Sequence, residues 1–221
     1  MTTTITRLSA LWLSLTLCAA SLASTNTADT REWAFRVYLD NSEIGSHTFS
    51  VTDVGNNREI TTEAEFNVKF LFFNAYQYRH KNTERWGDGC LEAIESETDA
   101  NGDLYSLTGT VTDEAFVMSK ALDDARDEVT LPGCVTTFAY WDARFLEESR
   151  LLNTQTGDYV DVAAELVGED LLTVRGAEIP TRHYRLTGQD LEIELWYSQD
   201  NEWLALESVT DGGRRLRYVL I

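Results

Sequence analysis

The chain has 221 residues, 43% of them hydrophobic, with 37 acidic residues against 18 basic ones. That composition belongs to a globular protein with a core rather than to a disordered chain, and the length suits one domain better than two. A formal charge of −19 argues against a nucleic acid or an anionic membrane surface as the main partner, since both need clustered Lys and Arg.

Residues 1–23 read as a secretory signal. Arg7 is the lone positive residue, Leu8 to Ala20 forms a short apolar run, and Ser21-Leu22-Ala23 supplies small residues for cleavage after Ala20 or Ala23. The apolar run is too short to span a bilayer comfortably. Cys18 follows the bulky Leu17, where a lipoprotein signal requires a small residue. The expected product is a released domain over 24–221, periplasmic or secreted, with no transmembrane anchor. Its charge is about −20, because the signal takes Arg7 and no acid.

Beyond the signal, period-two alternation dominates, as in half-buried strands. Trp33, Phe35, Val37 and Leu39 share one face of a first strand, and His47, Phe49 and Val51 one face of a second. Gly55-Asn56-Asn57 reverses the chain, and alternation resumes from Ile60 through Phe66, Val68, Phe70 and Phe72. Phe70 to Phe73 is apolar at every position, which predicts a strand apolar on both faces, bending at Asn74-Ala75. Tyr76, Tyr78 and His80 continue on one face, and the same alternation aligns His80, Asn82, Glu84 and Trp86.

A hairpin follows over Cys90–Thr98 and Leu104–Val111, with Asn101-Gly102 in the reversal. The acidic residues 121–128 predict an exposed loop, and Val135–Trp141 a strand. Asp142 is placed to cap a short helix over 143–152, with Phe145, Leu146, Ser149 and Leu152 on its buried side. Three strands close the chain: Leu191–Tyr197, the stretch around Leu204 and Leu206, and Leu216–Leu220. The fold class is therefore all-β with one short helix, a curved antiparallel meander forming a barrel or half-barrel.

With the signal removed, Cys90 and Cys134 are the only cysteines, each following a glycine and opening a strand. In an oxidising compartment they are expected to form a disulfide.

The standard catalytic spacings are absent: there is no Gly-x-Ser-x-Gly elbow, His-Glu-x-x-His, phosphate-binding glycine loop or Cys-x-x-Cys. No catalytic residue, metal ligand set or cofactor is assigned. Asp99, Asn101 and Asp103 alternate as oxygen ligands do, but the glycine sits at the wrong place for a calcium loop, and a hairpin turn explains them. His47, His80 and His183 are read as structural residues, with His80 near Glu84 the most suggestive acid–base pair. The aromatic run Phe70, Phe72, Phe73, Tyr76 and Tyr78 is either ordinary core or the wall of an apolar cavity, and as a wall it is the candidate ligand site.

Several stretches resemble an uncharacterised family of short exported proteins of Gram-negative bacteria, a domain of unknown function. They are Phe35 to Gly45, Phe66 to His80, Thr83 to Leu91, Cys134 to Asp142, Leu151 to Gly157, Leu195 to Tyr197 and Trp203 to Ser208. The resemblance implies membership and no activity. The build is more loosely similar to periplasmic half-barrel carriers of lipids or lipoproteins, which implies a fold and little more. Three functions follow as expectations: a binding or carrier module for an apolar or amphipathic molecule or lipid, a hydrolase using His80 or His183 with nearby acids, and a non-catalytic envelope protein.

Overall fold

A computed structural model describes residues 29–221 other than 71, 72, 114 and 211, and describes residues 70, 73 and 74 by their backbone alone. The signal read over residues 1–23, and Phe72, lie outside the described residues.

Period-two alternation becomes one antiparallel sheet of 14 strands. In chain order they are β1 (Thr30–Leu39), β2 (Ser42–Val54), β3 (Asn57–Phe70), β4 (Phe73–Gly87), β5 (Cys90–Ala100), β6 (Asp103–Val111), β7 (Ala115–Leu122) and β8 (Ala125–Pro132), followed by β9 (Arg150–Leu152), β10 (Tyr159–Val174), β11 (Ala177–Gly188), β12 (Leu191–Ser198), β13 (Trp203–Val209) and β14 (Arg215–Leu220). β1 pairs with both β2 and β14, so the meander runs outward in both directions and ends at β8 and β9. The sheet is not closed. It curls so strongly that Phe49 on β2 meets Trp203 on β13 with ring centroids 5.0 Å apart. Asn101 and Gly102 both adopt positive φ, as the tight β5–β6 reversal requires.

The inward-facing residues of β1 and β12–β14 make the densest part of the core: Phe35, Val37, Leu195, Tyr197 and Trp203 are fully buried. Phe35 lies 4.3 Å from Trp203 between centroids, and Tyr140 stacks on the same indole at 5.1 Å. Burying side chains of this size contributes roughly 1.5–3 kcal/mol each, which makes this wall the main source of stability.

Between β8 and β9 the chain does not run over the surface. It enters the curl as a plug, with Val135, Thr136, Thr137, Ala139, Trp141 and Phe145 all buried. A disulfide joins Cys134 to Cys90 with Cα atoms 5.2 Å apart, and beside it Leu91 N–H donates to Val135 O at 2.8 Å. Deeper in, Leu152 N–H donates to Thr136 O at 2.8 Å, and the Tyr197 hydroxyl donates to Tyr140 O at 2.8 Å. The turn at 153–158 then crosses to the opposite flank, where Lys120 on β7 pairs with Asp158 at 2.6 Å. Gly157 is required there, since a Cβ would lie 2.8 Å from the Lys120 side chain.

Four expectations are corrected. The helix over 143–152 is a five-residue 3-10 turn, Ala143–Glu147, and Arg150–Leu152 is β9. Leu151 and Leu152 are fully buried as strand residues paired with Val160 and Tyr159, so their apparently helical spacing reflects a turn followed by a strand. Residues 121–128 are not a loop: β7 and β8 pair across them, with Lys120 opposite Asp127. The acids lie at a sheet edge, where exposed charge discourages pairing with another chain. Val135–Trp141 is no strand: beyond the Leu91 N–H to Val135 O bond, it joins the sheet ladder through a single bridge from Thr137 to Leu152. Finally, the chain reverses between Phe70 and Phe73, which pair with each other, rather than bending at Asn74-Ala75.

Candidate functional site

The inner face of β2–β5 carries a polar patch beside buried Phe49, Val51, Ile60, Leu91 and Ile94. β4 sends His80, Asn82, Glu84 and Trp86 inward, all buried, while Arg79, Lys81 and Arg85 face out. Thr62 on β3 and Ser96 and Thr98 on β5 are buried beside them. These strands carry polar residues at positions where the alternation calls for apolar ones, and the result is a cavity of about 180 Å³ rather than close packing. β2–β4 supply His47, Phe49, Thr62, Tyr78, His80, Asn82 and Glu84 to its floor. The plug supplies Thr137, Phe138, Tyr140 and Trp141, the turn supplies Asn153, Thr154 and Gln155, and β12 adds Leu191 and Ile193.

Glu84 anchors the polar side. It is 4% exposed, and its carboxylate accepts hydrogen bonds from Asn82 Nδ2 at 2.6 Å, Trp86 Nε1 at 2.6 Å and Thr137 Oγ1 at 3.2 Å. Burial pushes its carboxyl above the ordinary range, and the three hydrogen bonds pull back down. His80 Nδ1 is 2.8 Å from Thr98 Oγ1, and burial depresses the imidazole to about 4. His47 Nδ1 is 3.1 Å from Tyr218 Oη; burial, helped by His80, lowers it to about 3. Both rings are therefore neutral at pH 7. Tyr78 donates to Gln155 Oε1 at 3.1 Å and stacks on Phe66, which seals that end.

Two polar atoms of residues that line this space have no partner. His47 Nε2 and Asn82 Oδ1 are buried and unbonded, two of only four such side-chain atoms among the described residues. A buried polar group left unpaired costs on the order of 1–3 kcal/mol, so two on the residues of one cavity call for an explanation.

The expected wall of aromatics is divided. Tyr78 lines the cavity, Tyr76 stands 39% exposed outside it, and the side chains of Phe70, Phe72 and Phe73 are not among those described. His80 and Glu84 share the cavity, but Glu84 is bonded to Asn82, Trp86 and Thr137 rather than to the histidine. His183 sits on the outer face between Asp170 at 3.2 Å and Glu194 at 2.5 Å, stacked on Trp196. No group of three or more His, Cys, Asp or Glu able to hold a metal occurs among the described residues.

Sequence reasoning missed His47, Thr62 and Asn82 as site residues. The signal was present: inward positions of adjacent strands occupied by His, Thr and Asn, with Trp86 ending the run. A larger hollow of about 740 Å³ opens on the outer face over β2–β6. Two cross-strand ion pairs lie on it, Lys81 with Glu63 at 3.3 Å and Arg79 with Glu65 at 4.0 Å, while Glu97, Asp99 and Asp123 on its lining have no ion pair among the described residues.

Fold and site together define a barrel-like β-protein, pinned by a disulfide, whose interior is part aromatic core and part small polar chamber. The chain belongs to the family described as Domain of unknown function (DUF6134), which matches residues 35–221. No curated protein matches it. In fold it is similar to a crystal structure of a beta-barrel-like protein of domain of unknown function DUF1849 from Brucella abortus, with a TM-score of 0.63 at 11% identity. That match covers 86% of this chain and 95% of the other. No helix among the described residues is long and apolar enough to cross a membrane. The disulfide points to an oxidising environment outside the cytoplasm.

Proposed function

We propose that the protein is a periplasmic binding module that holds a small amphipathic molecule in the chamber between β2–β4 and the plug. The observation that carries this reading is a pair of buried, unpartnered atoms, His47 Nε2 and Asn82 Oδ1, on residues lining one cavity whose other walls include Phe49, Phe138, Tyr140 and Ile193. A purely structural interior gains nothing from buried polar groups without partners. A molecule with a polar face and an apolar face would satisfy both sides.

At about 180 Å³ the chamber lies below the roughly 300–1,000 Å³ typical of drug-sized ligand sites. It suits a compact molecule, or the head of a larger one, and is too small for a whole lipid. Export supports the periplasm as the place of action, through the signal-like N-terminus and the disulfide. The test is native mass spectrometry of protein isolated from the bacterial envelope without unfolding. The expected spectrum shows one discrete added mass of small-molecule size that is lost on denaturation. An unadorned chain in every preparation would end the reading.

A further inference from the structure

We propose that the chamber selects a compact cation, a protonated primary amine carried on an apolar or aromatic body, and rejects anions. The inference rests on the binding reading above and adds the charge of the ligand.

Four observations converge. First, Glu84 is a 4%-exposed carboxylate lining the chamber, and each of its hydrogen-bond donors is neutral: Asn82, Trp86 and Thr137. Both its oxygens accept from nitrogens that can only donate, an arrangement that fits the ionised form. A buried charge needs a counter-charge, and no Lys or Arg lines the chamber.

Second, the unpartnered Asn82 Oδ1 is an acceptor that asks for a donor. An ionised Glu84 requires Asn82 to turn Nδ2 toward it, which leaves Oδ1 as the free acceptor. Third, burial keeps His47 and His80 neutral, so neither supplies the missing positive charge. Fourth, Phe49, Tyr140 and Trp141 are among the lining residues, and aromatic rings attract cations, as Arg58 at 5.7 Å from the Trp141 ring shows.

An ammonium brings three donors and one positive charge to a carboxylate without a cation, an unsatisfied carbonyl oxygen and aromatic faces. A carboxylate or phosphate head would meet Glu84 with no compensating cation. The chamber therefore discriminates against carboxylate and phosphate heads.

The test uses three probes of one shape: benzylamine, benzyl alcohol and benzoate. Each is titrated into the mature, disulfide-bonded protein at pH 7.5 and followed by chemical shifts of the Asn82 side-chain amide and the Trp86 and Trp141 indole N–H groups. Benzylamine is expected to bind at least ten-fold more tightly than benzyl alcohol, and benzoate to leave the signals unmoved. Glu84→Gln is expected to bring benzylamine down to the affinity of the alcohol. Should that variant not fold, the order of the three probes on the unaltered protein decides alone.

Benzoate binding as well as benzylamine, or benzyl alcohol matching it, overturns the charge preference while leaving the chamber a binding site. An anionic molecule copurifying with the protein has the same consequence. If none of the three probes moves the signals, the cation inference falls, and the mass spectrum of the envelope-derived protein then judges the binding reading separately.

Discussion

One concave surface carries two chemistries. Along β1 and β12–β14 the inward side chains are Phe35, Val37, Leu195, Tyr197 and Trp203, fully buried and in mutual contact, with the Trp203 indole N–H satisfied by Ala205 O at 3.0 Å. Along β2–β4 the same positions hold His47, Thr62, His80, Asn82 and Glu84 around open space. The strands are equally regular, so backbone geometry does not account for the difference. The first wall holds the curl together. The second forgoes apolar packing and keeps two buried side-chain atoms, His47 Nε2 and Asn82 Oδ1, without hydrogen-bond partners.

The comparison predicts unequal responses to substitution. Trp203→Ala, on the apolar wall, is expected to cost about 3–5 kcal/mol, read as a lower urea midpoint with unchanged slope. A loss under about 1 kcal/mol would mean that this wall is not the frame.

The disulfide comes next, because it pins the plug that roofs the chamber. Cys134→Ser opens a covalent loop of 44 residues and is expected to cost roughly 3–4 kcal/mol by loop-closure entropy. It should also speed deuterium exchange at Leu91 N–H, which bonds to Val135. Exchange unchanged there would show the plug to be held by its side chains alone.

The polar wall has its own signature in pH. His80 is depressed from 6.5 to about 4, so the unfolded chain binds its proton first. Its contribution to stability is full above pH 6.5 and is lost as pH falls toward 4. Glu84 acts in the opposite sense: its raised carboxyl costs stability as pH climbs above the ordinary glutamate value, and acid relieves that cost. His80→Gln should flatten the loss between pH 6.5 and 4 by on the order of 2–3 kcal/mol. A wild-type and variant pair with parallel pH profiles would contradict the buried, neutral histidine.

The smallest effect is the most diagnostic. Thr62→Val keeps the side-chain shape on the chamber floor and is expected to change stability by less than about 1 kcal/mol, in either direction. A loss of several kcal/mol would show that the polar wall is structural after all.

Much of this frame was legible in the sequence. The alternation of Trp33 to Leu39 and of Leu191 to Tyr197, the Asn101-Gly102 reversal and the pairing of Cys90 with Cys134 all depend on local spacing or on counting, which a sequence states directly. The plug was not legible. Val135 to Trp141 has the composition of a strand, and only the curl of β1–β8 around it denies it a ladder. Phe145 to Leu152 has helical spacing, but the strand pairing of Leu151 and Leu152 prevails. For the chamber, the row from His80 to Trp86 was visible as one face, whereas its meeting with Tyr140 and Gln155 depends on closure across residues 60–80 positions apart. The aromatic run attracted attention for its density, yet only Tyr78 among its described side chains reaches the chamber.

The chamber's occupancy is tested most directly by a crystal structure of protein purified from its native envelope, at a resolution that separates water from a ligand. The account predicts continuous, non-water density touching both Asn82 Oδ1 and His47 Nε2 and lying against Tyr140. Discrete water peaks satisfying those two atoms, with nothing else in the cavity, would contradict it.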